Sequence, residues 1–220
     1  VKSGTKYSKG RPLSARHHLI DRPLRYGPQE LGFNYSYMSV SGIQMFPYAY
    51  FENGLLDRRS GRDGEIRRFN CRTMEVSKHG RGYPCGLPVY SGEGLNYWRT
   101  QDYEFDMAER LEGFLDRHYR ENPRTPFFAY YCPSAIHVPH SPPDFWHGRP
   151  ISGQYKTPHL SMISMMDEVV GEVMAQLQKH DAVNNTIIVF ASDNGGTYGS
   201  RRVGHFPSPG LRGSKGDVYE

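Results

Sequence analysis

Five side chains in the second half of the chain could work together on an anion: Asp193, Asn194, His137, His140 and Lys215. Asp193 and Asn194 stand side by side in "TIIVFASDNGG" (186–196), after an apolar run and before two glycines. Their oxygens are hard ligands of the kind Ca²⁺ or Mg²⁺ takes. His137 and His140 lie in a Pro-rich loop, "CPSAIHVPHSPPDFWHG" (132–148). Lys215 lies in "LRGSKGD" (211–217), where glycines leave the ammonium uncovered and let backbone approach a ligand. A hard cation, imidazoles and a lysine suit an anionic oxygen substrate, because each can offset negative charge. Read singly, each has a plainer meaning. Asp-Asn-Gly-Gly is turn chemistry. A lone histidine in a Pro-rich loop is a packing or surface residue, and a lone lysine is a solvated one. Only a common location makes them a site.

Two helices and two strands would supply that location. "DYEFDMAERLEGFLDRHYRENP" (102–123) repeats Phe105, Ala108, Leu111, Leu115 and His118 or Tyr119 at helical spacing and stops before Pro123. "PFFAYY" (126–131) reads as a short buried strand. A second helix is expected over about 157–180, with Leu160, Ile163, Met166, Val170, Val173 and Leu177 as its apolar stripe. Its methionines read as core filler. Thr186 to Phe190 reads as the next strand. Strand, helix, strand in this order is a βαβ crossover, nearly always right-handed, with parallel strands. The loops after both strands then leave one edge of the sheet. That edge receives His137 and His140 from one loop, Asp193 and Asn194 from the other. The expected fold class is α/β: a mixed, mainly parallel sheet sandwiched by helices.

The first hundred residues read as a loop-rich segment and 101–220 as the strand–helix core that carries the site. Phe33, Tyr35 and Tyr37 alternate as in a strand, and 45–54 reads as a second short strand ending in a turn. No helix is expected over 54–100. With 24 Gly and 16 Pro and a mean hydropathy of −0.69, much of the chain must be loop. The 16 Tyr and 11 Phe offer aromatic burial instead and exclude a disordered composition. A net charge of +4, from 27 basic and 23 acidic residues, gives no stripe for nucleic acid. "DRRSGRDGEIRRF" (57–69) mixes both signs and reads as a solvated loop, with an anionic-substrate contact as the minority reading. No apolar run nears the roughly 20 residues of a membrane span, and "VKSGTKYSKG" has no signal-peptide core. The three cysteines form no metal-type pair; Cys71 and Cys85 could bridge across a loop, leaving Cys132 odd. Without an initiator Met or a closing element after "GDVYE", the sequence reads as a fragment at both ends.

"PFFAYYCPSAIHVPHSPP", "TIIVFASDNGG" and "LRGSKGDVYE", in this order, resemble the second half of the catalytic domain of type I sulfatases, in the alkaline-phosphatase-like superfamily. "MISMMDEVVGEVMAQLQKHDAVNNT", "RPLRYGPQELGFNYSYM" and "MFPYAYFEN" are similar to that family too, and the likeness is weakest across 55–100. The resemblance implies hydrolysis of a sulfate ester by a formylglycine. It implies that Asp193 and Asn194 are ligands of a Ca²⁺ ion. It makes His140 a contact of the sulfate ester that helps the leaving oxygen depart, and Lys215 a partner of the sulfate oxygens. His137 becomes a neighbour in substrate binding. A sulfate-contacting serine would lie near Ser39 or Ser41, but "SVSG" departs from the pattern and neither is assigned.

The formylglycine motif C-x-P-x-R is absent from these residues. "CPSA" at Cys132 has its proline one residue early and no arginine after it. The family's N-terminal acidic pair and its K-W-H-L segment are missing as well, with "RHHL" (16–19) a poor substitute. The nucleophile and its modification would therefore lie outside the fragment, and 1–220 alone is expected to be inactive. The implied partner is a sulfated small molecule or glycan, with no nucleic acid and no membrane span. The implied location is periplasmic, secreted or lysosomal. Two alternatives stay open: a phosphodiester or phosphonate monoester hydrolase of the same superfamily, and a non-catalytic domain that holds anionic glycans. The specific sulfate ester and the oligomeric state have no readable code.

Overall fold

The computed structural model describes residues 20, 22–58, 64–70, 90–196, 204–207 and 209–217. Cys71 and Cys85 fall outside them, and Cys132 is an exposed free thiol. The first half builds small antiparallel sheets. Strands β1 (Tyr37–Met38), β2 (Phe51–Glu52) and β3 (Leu55–Leu56) form one, with Phe51 paired to both Met38 and Leu56. Asn53 and Gly54 close the β2–β3 hairpin with φ of 50° and 78°. Asn-Gly is the pair that tolerates two positive φ values in a row. Strands β4 (Ile66–Phe69) and β5 (Gly92–Leu95) form a second sheet.

A glycine in β5 is explained by close backbone approach. A Cβ on Gly94 would sit 2.3 Å from the Tyr48 carbonyl oxygen. That carbonyl accepts from Leu95 N–H at 2.8 Å, and Tyr48 N–H donates to Glu93 at 2.8 Å. The join buries an aromatic cluster of Tyr48, Tyr50, Phe69, Trp98 and Tyr103, with the Tyr50 and Trp98 rings 4.8 Å apart. Rings supply the core that the low aliphatic content withholds.

Helix α1 spans Tyr103–Glu121 and helix α2 spans Pro158–Lys179, each within two residues of its expected bounds. Tyr103 and Met107 of α1 enter the aromatic cluster, while Phe105 and Ala108 pack on a second cluster of Trp146, Ile151, Met162, Met165 and Val169. Phe105 stacks on Trp146 at 4.0 Å. Trp146 is held by the hairpin of β6 (Phe145–Trp146) and β7 (Arg149–Pro150), and its indole N–H donates to Glu172 of α2 at 2.6 Å. Pro158 opens α2, and the Thr157 hydroxyl accepts from Leu160 N–H at 3.3 Å. Both devices suit a helix start.

Two expectations need correcting. Of the expected stripe of α2 only Leu177 is fully buried; its fully buried apolar companions are Met162, Met165 and Val169, while Leu160, Ile163, Met166, Val170 and Val173 are only half-buried. The helix is apolar on two adjacent faces, so periodicity alone could not choose between them. The segments read as buried strands, 126–131 and 186–190, have no ladder partner among the described residues. Their side chains are open instead: Phe128 and Tyr130 are each 76% exposed, Ile187 93% and Val189 83%. Among the described residues, no helix is long and apolar enough to cross a membrane.

Candidate functional site

The loop that carries both predicted histidines is anchored from α1. Glu104 lies on the same helix face as Ala108, Leu111 and Leu115 and is 2% exposed. Its Oε1 accepts from the Ser134 N–H and hydroxyl, each at 2.7 Å, and from the Ala135 N–H at 2.8 Å. Burial raises the Glu104 pKa, and these hydrogen bonds oppose the rise by favouring the carboxylate. Three donors converging on one buried oxygen fix the loop where it leaves 126–131. His137 N–H then donates to Ser134 at 2.8 Å, and the His137 ring stays exposed.

His140 is half-buried. Burial, then the neighbouring His159 and His137, push its pKa down to about 4, against a hydrogen bond to the Ile136 carbonyl that favours the proton. It is therefore an uncharged imidazole at neutral pH. Its ring centroid lies 4.9 Å from that of His159, and His159 lies 5.5 Å from His205. His159 is lowered too, by burial and by His205.

The loop after 186–190 holds the carboxylate and the amide. Asp193 and Asn194 are both exposed. The Ser192 hydroxyl donates to the Asn194 carbonyl at 2.7 Å, and Asn194 Nδ2 donates to the Gly195 carbonyl at 3.0 Å. That bond engages the amide nitrogen and not the amide oxygen, Oδ1. The Tyr130 pKa is raised, first by a hydrogen bond to Cys132 and also by the Asp193 charge.

Steric contact explains the two glycines. A Cβ on Gly195 would lie 3.1 Å from the Ser214 carbonyl carbon, and one on Gly196 would lie 2.2 Å from Pro207 Cγ. Across this approach Lys215 N–H donates to the Gly196 carbonyl at 2.9 Å. The lysine sits on a tight turn. Asp217 Oδ2 accepts from the Ser214 N–H at 2.9 Å and its hydroxyl at 3.2 Å, while Gly213 and Gly216 take φ of 93° and 92°. The Lys215 side chain is exposed.

Two assemblies result. One joins Asp193 and Asn194 to the Lys215 turn through Gly195 and Gly196. The other joins His140 to His159 and His205. They meet in the chain at 205–207, where His205 is followed by the proline that packs on Gly196. Two adjacent hard oxygens fit part of a Ca²⁺ shell of six to eight. Among the described residues, no group of three or more His, Cys, Asp or Glu side chains could hold a metal.

Sequence reasoning passed over Glu104, His159 and His205. Glu104 had a usable signal, since a charge on the apolar stripe of a helix demands buried partners. His159 read as the start of an ordinary helix, and nothing local marked His205.

The sulfatase family pattern matches residues 26–217. Arylsulfatase J of Mus musculus is 32% identical over 144 residues, covering 62% of this chain and 22% of that protein. N-acetylgalactosamine-6-O-sulfatase of Bacteroides thetaiotaomicron is 24% identical over 218 residues, covering 87% of this chain and 41% of that protein. Steryl-sulfatase of Rattus norvegicus is 30% identical over 126 residues, covering 54% and 20%. A solved structure from the metabolism of multiple glycosaminoglycans by Bacteroides thetaiotaomicron superposes with a TM-score of 0.67 at 21% identity, over 89% of this chain and 45% of that one. The chain thus spans less than half the length of the relatives it matches, and its fold class is the α/β, alkaline-phosphatase-like one. The match over 26–217 settles the family: this chain belongs to the sulfatases.

Proposed function

We propose that the protein hydrolyses a sulfate ester, and that the strand–helix core over 101–220 carries the part of the site assigned below. The observation that carries this reading is the bond from Lys215 N–H to the Gly196 carbonyl, which fastens the lysine turn to the loop of Asp193 and Asn194. Asp193 and Asn194 would hold a Ca²⁺ ion, which when bound supplies positive charge against the sulfate oxygens. Lys215 pairs its exposed ammonium with those oxygens and offsets the charge that grows as the S–O bond breaks. His140 contacts the ester oxygen. Its ring is uncharged in the free protein because burial lowers its pKa to about 4. An anion beside it favours the imidazolium, so substrate and proton arrive together and the proton can pass to the leaving oxygen. His137 contacts substrate beside it. The substrate is a sulfated small molecule or glycan, and a periplasmic, secreted or lysosomal location belongs to the same proposal. No C-x-P-x-R occurs in these 220 residues, so the nucleophile, proposed as a formylglycine, comes from outside them.

The test is turnover of 4-nitrophenyl sulfate and 4-nitrophenyl phosphate by the full protein, by residues 1–220 alone, and by Lys215→Ala. We expect sulfate to be preferred, 1–220 alone to be inert, and Lys215→Ala to lower kcat/KM by about 100-fold. Preference for phosphate, or a Lys215→Ala protein with unchanged kcat/KM, overturns the reading.

A further inference from the structure

His140, His159 and His205 come from three separate segments: the Pro-rich loop, the first turn of α2, and the stretch before the lysine turn. Their rings nonetheless form a row, with successive centroids 4.9 and 5.5 Å apart and planes inclined by 56° and 61°. At such inclinations the edge of one ring meets the face of the next, and the nitrogens are on the edges. All three rings are partly buried. His159 Nε2 is buried and has no hydrogen-bond partner. A buried polar atom left unpaired is costly. A small turn of the ring toward a ligand would supply the missing bond.

We propose that His159 and His205, with His140 at their head, form a subsite for the hydroxyl-bearing leaving group, so that the ester cleaved is carried on a sugar or another polyol. The inference rests on the reading of His140 as the residue at the ester oxygen. The row then leads away from that oxygen into the body of the leaving group.

The chemistry of the rings selects the ligand class. His140 and His159 both hold their protons less readily than an ordinary histidine. An uncharged imidazole offers one N–H donor and one lone pair. A hydroxyl also donates and accepts, so either orientation of the ring finds a match. A second anionic group would meet lone pairs as often as donors. An aryl or steroid leaving group would cover the rings and leave their nitrogens unpaired. Sites built to bond a hydroxyl reject analogues that lack it for this reason.

The experiment uses the full protein and two substrates, galactose 6-sulfate and 4-nitrophenyl sulfate, with inorganic sulfate as inhibitor. Wild type should favour the sugar ester in kcat/KM. His159→Phe keeps a ring and removes both nitrogens. His205→Ala is the second variant, should the first fold poorly. Each should lower the ratio of kcat/KM for sugar over aryl ester at least tenfold, mainly through KM. His159→Asn, which restores one donor and one acceptor, should recover part of the ratio. Wild-type preference for the aryl ester, or an unchanged ratio in both variants, overturns the subsite. The Ki of inorganic sulfate reads the sulfate pocket alone, and Lys215→Ala should raise it. If Lys215→Ala leaves that Ki unchanged, the sulfate-ester reading fails and takes the subsite with it.

Discussion

Glu104 of helix α1 holds Ser134 by two hydrogen bonds to one carboxylate oxygen, from the backbone N–H and from the hydroxyl, each at 2.7 Å. A third bond, from Ala135 N–H at 2.8 Å, completes the grip. The loop so held runs on to His137 and His140. Replacing Glu104 with Ala leaves two buried N–H groups and a hydroxyl without their acceptor, and opens a cavity. We expect a loss of about 3 kcal/mol in urea unfolding, and a smaller one for Glu104→Gln, whose Oε1 can still accept. A Glu104→Ala protein within 0.5 kcal/mol of wild type (about the range of ordinary surface changes) would show that the anchor is dispensable.

Gly196 gives a second prediction. A methyl group there meets Pro207 Cγ at 2.2 Å, and a proline ring cannot swing aside as a flexible side chain can. Gly196→Ala should cost about 1–3 kcal/mol as overpacking. It should also displace the carbonyl that Lys215 N–H uses, so sulfate affinity should fall with stability. Thermal unfolding and a Ki for inorganic sulfate read the two effects. Normal values for both would mean that the loops do not meet as closely as described.

The same residues show how much the sequence encoded. The bounds of both helices were legible, because caps and breakers such as Thr157, Pro158 and Pro123 are local chemistry. The buried face of α2 was not, because two neighbouring faces are apolar and the choice belongs to Trp146 and Phe105, distant in sequence. The segments 126–131 and 186–190, expected as strands, show a different limit. Ile187, Val189 and Phe128 state a demand for cover, but a hydrophobic pattern does not name its supplier, and no described residue pairs with these segments. Asp193, Asn194 and Lys215 could be picked out because glycines flank them. His159 could not, since its meaning lies in two other rings.

The histidines set a pH dependence. His140 has its pKa pushed down to about 4 from an ordinary 6.5. Between those values the unfolded chain binds a proton that the folded chain refuses, so stability falls as pH drops from 6.5 toward 4. His159, also lowered, acts in the same direction. Glu104 acts in the opposite one: its raised pKa gives stability that is present below about 4.5 and lost as pH rises through the folded value. His140→Asn isolates the histidine term. Urea midpoints at pH 7, 6 and 5 should fall less steeply in that variant than in wild type. Parallel pH profiles would mean that His140 is not shielded from protonation.

Asp193 and Lys215 sit on loops joined by one backbone hydrogen bond, from Lys215 to Gly196, yet the proposed chemistry gives them separable tasks. Asp193 offers an exposed carboxylate beside the Asn194 amide, and a Ca²⁺ ion needs such oxygens directly. Lys215 offers a cation, which repels a metal and attracts sulfate. In the full protein, Asp193→Ala should therefore lose Ca²⁺ affinity and activity together, by at least 100-fold in each. Lys215→Ala should keep its Ca²⁺, bind sulfate more weakly and lose rate by about 100- to 1,000-fold, the size expected when one charge-stabilising group is removed from a transition state. Metal content by elemental analysis and kcat on an aryl sulfate, measured on both variants, separate the two tasks. Full Ca²⁺ occupancy and a near-normal rate in Asp193→Ala would reduce "SDNGG" to a turn. Loss of the metal in Lys215→Ala would mean that the lysine turn supports the cation site through Gly196 and does not act on the departing sulfate.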